Sequence, residues 1–571
     1  MNNVPANVVR YRRLLLAFSG LGGLLYGADI GIIAAALLYL SRTIDLTIAQ
    51  TSLVVAAVLG GSMFSSLAAG VLADWVGRRK MTILSGLMFL VSIAMIVLSH
   101  GFTGLFLGRL LQGMSGGVIA VVVPLYLAEC LSANERGRGT AIFQFMLTLG
   151  IVIAALIGWL YTRHAETAIA QAAGNALLVS AAENHAWRGM FLTVIYPGIL
   201  FFISCWFLSE TPRWLFRKGR IPQARAALLR ALPEREADIV WREMEDVARE
   251  QDKAAATGAH DSLWRRKYVV PFVLACIVLA CTQTTGINSI LSFLVIILRQ
   301  AGMSARHATQ GDVVVKLMNC GMTLVAVALV DRRGRRFLLR IGTGGVVIAL
   351  FAAGLIFHTI ETRTSDVRAT MQSAVAGDRL TLPLNSSTLP AETPGRPTSL
   401  TVVYSYGDGD HMDTVLSDGN DPVVRIAPDA KEAGAALVIR RARYGLVPGP
   451  STGWAVAACL GLFILAYAVG PGVVVWLMLS ELMPTRIRST GMGIALLINQ
   501  GISTLIAALF LPVVGIFGYY AMFFFWAGCT AIYLLTATFF LPETRGRTLE
   551  EIEKYFERQG ESAVASVGTD S

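Results

Sequence analysis

Residues 50–80, QTSLVVAAVLGGSMFSSLAAGVLADWVGRRK, hold one apolar run closed by a charged turn, Asp74-Trp-Val-Gly77-Arg78-Arg79. A helix that crosses a bilayer needs about 20 such apolar residues. The same design returns at 313–336, where VVVKLMNCGMTLVAVALV is closed by Asp331-Arg-Arg-Gly334-Arg335-Arg336. Outward from this matched pair the chain reads as twelve runs: 14–38, 50–73, 81–99, 102–130, 138–161, 189–208, 268–298, 313–330, 337–357, 454–480, 490–515 and 519–541. These are spans 1 to 12.

Two further motifs repeat in step. Glu129 precedes Arg136 by seven positions after span 4, and Glu481 precedes Arg488 by seven after span 10. Glu210-Thr-Pro-Arg213 follows span 6 and Glu543-Thr-Arg545 follows span 12. Three matched pairs divide the chain into two parallel six-span repeats. That is the architecture of a secondary transporter, with its substrate bound between the halves. Uneven spacing between the matched motifs marks 358–453 and 162–187 as insertions, and both are polar stretches.

The composition agrees. Of 571 residues, 54% are hydrophobic and only 15% charged, against about 25% charged in soluble domains. This excludes a soluble enzyme, a disordered chain and a collagen-like fibre. The net charge of +10 is not a nucleic-acid footprint, because the basic residues cluster in short loops on the side of the N-terminus. That pattern keeps loops in the cytoplasm. Both termini are therefore expected inside, and the segments after odd-numbered spans outside. The basic start MNNVPANVVRYRR leads into a long run without an A-x-A site, which reads as an uncleaved first span. All seven cysteines lie in or beside apolar runs, so neither a disulfide framework nor metal-ligand spacing is expected.

The expected organisation is an N-terminal six-helix half over 1–208, a cytoplasmic helical linker over 209–267 and a C-terminal half over 268–541. An external β-rich insertion at 358–453 falls between helices 9 and 10, and 542–571 form a cytoplasmic tail. Within the insertion, Asp408, Asp410 and Asp413 read as a hairpin turn or a calcium loop, although the twelve-residue calcium spacing is not met. Asn385-Ser-Ser is a glycosylation sequon.

A charge inside a bilayer is costly and marks function by default. Three stand away from the inner ends of spans: Asp29, Arg109 and Lys316. At about 1.5 Å per residue, Asp29 lies roughly 8 Å and Arg109 roughly 9 Å below the outer surface. The two can pair, either as a proton-coupling device or as a static link between spans 1 and 4. Lys316 follows Asp312 by four near the outer end of span 8, which suggests a helix pair whose lysine snorkels outward, with substrate binding or gating as the alternative. The spans also hold the amides Gln144, Gln283, Asn288, Asn319, Asn499 and Gln500. Trp476 follows the helix-breaking run Gly470-Pro471-Gly472. Amides and an aromatic face suit a neutral polyhydroxylated ligand.

These residues resemble the sugar porter family of the major facilitator superfamily. The resemblance rests on YGADIGIIAAALLYL, ADWVGRRK, GRLLQGMSGG with PLYLAEC and ERGRG, SETPRWL, TGIN, LVDRRGRR, WLMLSELMPTRIR and LPETRGRTLEEI. It implies an all-α integral membrane protein of the major facilitator fold, with twelve transmembrane helices in two six-helix halves. The implied activity is import of a hexose, pentose or polyol through alternating access, without a cofactor. Bacterial proton–xylose symporters of the family carry an Asp and an Arg where Asp29 and Arg109 stand, while human facilitative glucose transporters typically have Asn at the first. Protons are thus the implied coupling ion. The family's sugar-binding positions fall on Gln144, Gln283, Asn288, Asn319, Gly472, Trp476 and Asn499. Its cytoplasmic salt-bridge lock falls on Asp74, Arg78, Arg79, Glu129, Arg136, Glu210, Arg213, Asp331, Arg335, Arg336, Glu481, Arg488 and Glu543. The chain departs from the pattern at Thr282, Ser292, Val473, Gln500 and Lys316. A monomeric transport unit in a plasma membrane (the inner membrane in a bacterium) is expected, with no nucleic-acid partner. A facilitative uniporter, a polyol symporter and a non-transporting sugar sensor are the competing readings.

Overall fold

The computed structural model describes residues 5–131, 133–257, 266–383, 398–407, 409–417, 423–426, 435–483, 488–541 and 543. Among these, twelve helices are long and apolar enough to cross a membrane: Ala6–Thr43, Ile48–Val76, Arg78–Leu98, Phe102–Cys130, Arg138–Gln171, Ala176–Trp206, Tyr268–Gln300, Ala305–Val330, Arg335–Thr362, Pro450–Val475, Gly491–Phe517 and Tyr519–Phe539. They correspond in order to spans 1 to 12. Arg136, Asp331, Trp476, Glu481 and Arg488 lie outside the described residues as far as their side chains are concerned, as do Asp408 and the segment 544–571 altogether.

Local chemistry sets where the spans begin and break. Span 2 opens on a reciprocal capping box, with Thr47 Oγ1 accepting Gln50 N–H and Gln50 Oε1 accepting Thr47 N–H, each at 3.1 Å. Span 7 is interrupted at Gly286, whose φ of +81° ends one helix at Thr284 and lets the next begin at Ile287. Span 10 is interrupted at Gly470, and Pro471 starts the second segment, Pro471–Leu482, where its missing N–H costs nothing. Spans 5 and 6 run longer than their apolar cores. The polar insertion at 162–187 is largely helix, turning near Ala173 and Gly174. Its alanines and straight-chain residues favour helix even where hydropathy is low.

The halves pack on a shared plan. Span 2 lies against span 4 and span 3 against span 4, as span 8 lies against span 10 and span 9 against span 10. Between halves, span 2 meets span 11 and span 5 meets span 8, an exchange-symmetric pair of contacts. Spans 1 and 7 close the set.

The bundle has two unlike ends. One carries the helices Pro212–Arg217, Ile221–Ala231 and Glu234–Thr257. These are tied to span 1 by Arg12, which pairs with Glu236 at 2.9 Å and Glu135 at 3.2 Å and bonds Ala231 O at 3.0 Å. The other end carries seven strands: β1 Ser365–Asp366, β2 Val375–Ala376, β3 Arg379–Pro383, β4 Thr398–Ser405, β5 Asp410–Ser417, β6 Val423–Ile426 and β7 Val438–Leu446. They form an antiparallel sheet ordered β1-β7-β4-β5 and a second ordered β2-β3-β6. Met371, Leu380, Leu400 and Ile439 fill a small core of their own. Arg441 of β7 anchors this domain, donating to Val514 O at 3.1 Å and pairing with Glu361 at 3.2 Å.

Candidate functional site

Asp29 is positioned by close helix contact. On span 1, Gly23, Gly27 and Gly31 face span 5 at one-turn intervals, and a Cβ at Gly27 would stand 1.9 Å from Leu147 O. Such small-residue stripes let membrane helices approach backbone to backbone. The opposite side of span 1 then presents Asp29 to span 4. Arg109 Nη1 donates to Asp29 Oδ1 at 3.1 Å, with the two side chains 1–2% exposed. The same Nη1 lies 2.7 Å from Gln112 Oε1, and the guanidinium sits 5.6 Å from the Phe191 ring centroid. Asp29 Oδ2 has no hydrogen-bond partner among the described residues.

One turn earlier on span 1, Tyr26 lines a central cavity of about 1950 Å³, whose lining does not include Asp29 or Arg109. Gln144, Gln283, Asn288, Asn319, Gly472 and Asn499 all line that cavity, together with Tyr26, Thr148 and Gln500. Six of the seven positions singled out for sugar are thus brought together, and the Trp476 side chain lies outside the described residues. The amides form a network. Gln283 Nε2 donates to Asn499 Oδ1 at 3.2 Å, and Asn288 Nδ2 lies 3.0 Å from Gln283 Oε1 and 2.7 Å from Ser503 Oγ. Asn499 Nδ2 donates to Leu279 O at 3.0 Å. Ser503 escaped the sequence reading, although it stands four residues after Asn499 on the same helix face. Thr282 turns away, sharing a 3.0 Å hydrogen bond with Tyr533 OH.

The cavity extends to the end that carries the linker helices, where Asp74, Arg78, Glu129, Arg213 and Arg217 line it. Arg78 pairs with Asp74 at 2.7 Å and Glu129 at 2.9 Å, and Thr211 Oγ1 donates to Glu129 Oε2 at 2.5 Å. Arg217, which the sequence reading missed, reaches Asp74 at 3.1 Å and Glu129 at 3.6 Å. Arg213 lies 4.0 Å from Glu243 of the linker. Glu210 accepts Arg78 N–H at 2.9 Å and Arg79 N–H at 3.2 Å, capping span 3. Burial pushes the Glu210 carboxyl up, while the N–H groups of Thr211, Arg79 and Arg78 pull it partly back. In the second half Glu543 caps span 9 in the same way, accepting Arg335 N–H at 3.0 Å and Arg336 N–H at 3.1 Å. Each of these contacts stays within one half and its adjoining segment.

At the other end the halves touch. Ser52 Oγ of span 2 accepts Leu511 N–H at 3.1 Å, and nearer mid-span, at the cavity wall, Thr148 Oγ1 lies 3.5 Å from Cys320 Sγ. Here the expectation for Lys316 is overturned. Its side chain is fully buried, paired with Asp312 at 2.8 Å, and its Nζ donates to Gly31 O of span 1 at 3.0 Å. The lysine faces the neighbouring half, and a carboxylate of its own helix and a carbonyl of span 1 take the place of the water that snorkelling would supply.

The sequence signature of the Sugar (and other) transporter family matches residues 16–376 and 433–556. The chain belongs to that family. Among its relatives, the human proton myo-inositol cotransporter is 28% identical over 571 residues, covering 96% of this chain and 82% of that one. The glucose transporter GlcP of Staphylococcus epidermidis is 26% identical over 542 residues, covering 95% and 96%. The inward-open structure of the xylose transporter XylE from E. coli superposes with a TM-score of 0.66 at 19% identity, over 95% of this chain and 98% of that one. The fold is therefore the major facilitator fold, and the protein is a multi-pass membrane transporter, not an enzyme.

Proposed function

We propose that this transporter imports a small neutral polyhydroxylated solute, a hexose, pentose or polyol, by proton symport through alternating access. The observation that carries the reading is the buried Asp29–Arg109 pair set behind Tyr26 at the cavity wall. The bond between them depends on the ionised carboxylate. A proton taken by Asp29 removes that charge and frees Arg109, so protonation and the packing of spans 1 and 4 are linked. The solute binds between the halves through Gln144, Gln283, Asn288, Asn319, Asn499 and Trp476, with Gly472 leaving room beside it. Amide groups serve hydroxyls as both donors and acceptors. Once the solute is held, the halves rock, and proton and solute leave together on the far side. The acid–arginine motifs, from Asp74 and Glu129 in one half to Glu481 and Glu543 in the other, hold the linker-helix end shut in the alternate state.

On this reading the linker helices and both termini are cytoplasmic, following the basic clusters, and the strand domain is external. The conformation described is then inward-facing. The unit of transport is a monomer in a plasma membrane, with the proton as coupling ion and no further cofactor. Names among the relatives support the solute class, since they include a proton myo-inositol cotransporter and a glucose transporter.

The test is uptake by proteoliposomes holding purified protein, with D-xylose, D-glucose and myo-inositol as separate substrates. Accumulation above equilibrium under an imposed inside-alkaline gradient, abolished by an uncoupler, is the expected result. Uptake that stops at equilibrium with or without the gradient would make the protein a uniporter. Binding without flux would make it a sensor.

A further inference from the structure

Span 8 carries a second buried ion pair, which the transport reading above does not use. Asp312 and Lys316 stand one turn apart, 2.8 Å between Oδ2 and Nζ, with side chains 1% and 0% exposed. Their setting is unlike that of Asp29 and Arg109, whose helices belong to one half. Lys316 belongs to the second half, yet its Nζ is held 3.0 Å from a carbonyl of the first, Gly31 O. Gly31 lies two residues beyond Asp29 on the same helix. It is also wedged against span 5, where its missing Cβ would meet the Ala154 methyl at 2.8 Å. Nothing on span 1 can therefore retreat from the lysine without the first half moving as a body. Ser52–Leu511 marks the same seam on spans 2 and 11.

A carbonyl in a helix has one lone pair left after its helical bond, and the ammonium takes it. Among the described residues two of the three ammonium donors are used, and Asp312 Oδ1 has no partner. The pair is therefore satisfied only in part while the seam is closed. Opening the seam exchanges the Gly31 carbonyl for water and offers water to the idle oxygen.

We infer that Asp312 and Lys316 form a charge latch across the seam at the strand-domain end, and that it sets the balance between the two access states. This rests on the alternating-access reading. Asp312 and Lys316 act as positioning residues through Gly31 and touch no solute. The consequence runs against what a simple packing role would give. Removing one partner leaves a lone charge in a dry seam, the costly outcome for a buried pair, whereas replacing both with apolar residues is often neutral or stabilising. A lone charge finds water by parting the seam. Each single variant should therefore open the strand-domain end, and the double variant should close it again.

The experiment is a pair of spin-label distances in the full-length chain in nanodiscs, on a cysteine-free background. Ala49→Cys with Arg306→Cys reports the strand-domain end, and Lys218→Cys with Arg333→Cys reports the other. Asp312→Leu and Lys316→Met are each expected to raise the open population at the strand-domain end at least about threefold. Asp312→Leu with Lys316→Met together is expected to return it to the wild-type level or below. Asp312→Asn removes the charge at constant size and gives the same reading if the leucine variant does not fold. Distances that shift with added D-xylose, D-glucose or myo-inositol but ignore the charge variants would overturn the latch alone. So would a double variant as open as the singles. Distances in the wild type that never respond to any of the three solutes would overturn the alternating-access reading and the latch with it.

Discussion

Arg109 Nη1 meets Asp29 Oδ1 at 3.1 Å, and the second oxygen of that carboxylate is left without a hydrogen-bond partner among the described residues. A buried carboxylate held by one bond is poised between two states, because a proton can take the free oxygen without first breaking the ion pair. Tyr26, one turn away, brings this choice to the cavity wall.

The amide network gives the first prediction. Asn499 holds Gln283 at 3.2 Å, and Gln283 in turn receives Asn288. Asn499→Ala removes an amide from the cavity wall and takes the acceptor from the Gln283 NH2 group. Such losses amount to about 1–3 kcal/mol, roughly 5- to 150-fold in affinity. The KM for the transported solute should rise within that range while the amount of protein in the membrane is unchanged. A KM equal to wild type would remove Asn499 from the site.

The second prediction concerns the turns that join spans 2 to 3 and 8 to 9. Gly77 has φ +103° and a Cβ there would lie 2.4 Å from Glu210 Oε2; Gly334 has φ +89° and its Cβ would lie 2.9 Å from Glu543 Oε2. Backbone strain of this kind costs about 1–3 kcal/mol. Gly77→Ala and Gly334→Ala should each lower the apparent Tm in detergent by several degrees. Gly344→Ala, in span 9 with open space around it, should not lower it. Equal melting of all three would deny the carboxylate caps their structural role.

A third follows from Arg78, which is 2% exposed and joins Asp74 to Glu129. Arg78→Gln leaves Glu129 with Arg217 at 3.6 Å as its remaining cation among the described residues. Losing a buried partner costs more than the pair itself contributes. Solute counterflow, which needs both access states, should fall at least about tenfold, with solute binding retained. Counterflow at the wild-type rate would show that this cluster does not govern closure.

The anchoring of the strand domain is open to hydrogen exchange. Arg441 joins β7 to span 11 and to Glu361, and Glu361 also accepts Tyr519 N–H at 2.7 Å. Arg441→Ala should raise exchange at residues 361–366 and 514–519 and leave the β4–β7 ladder protected. Protection unchanged at both places would mean that other contacts hold the domain.

Much of this architecture is legible in the amino acids because the bilayer imposes it. Runs of about 20 apolar residues and arginine-rich turns admit few other arrangements, and Gly470-Pro471 announces the break in span 10. The seam is harder to read. Lys316 looks like a snorkelling lysine because its partner, the Gly31 carbonyl, lies 285 positions away and carries no side-chain signal. Arg217 is hidden for a like reason, since nothing local marks which of several linker arginines turns back to Asp74. Hydropathy also underestimates spans 5 and 6, where alanine-rich helix continues past the apolar core. The strand pairing in 365–446 is long-range, and alternation within one strand does not reveal its neighbour.

The central claim is that Asp29 carries the coupling proton, and it is tested most directly by comparing wild type with Asp29→Asn in proteoliposomes under an imposed proton gradient. The amide keeps the size of the side chain and can still accept from Arg109, but it cannot take up a proton. The account predicts that Asp29→Asn abolishes accumulation above equilibrium while solute exchange at zero gradient persists. Gradient-driven accumulation by Asp29→Asn equal to that of the wild type would contradict it.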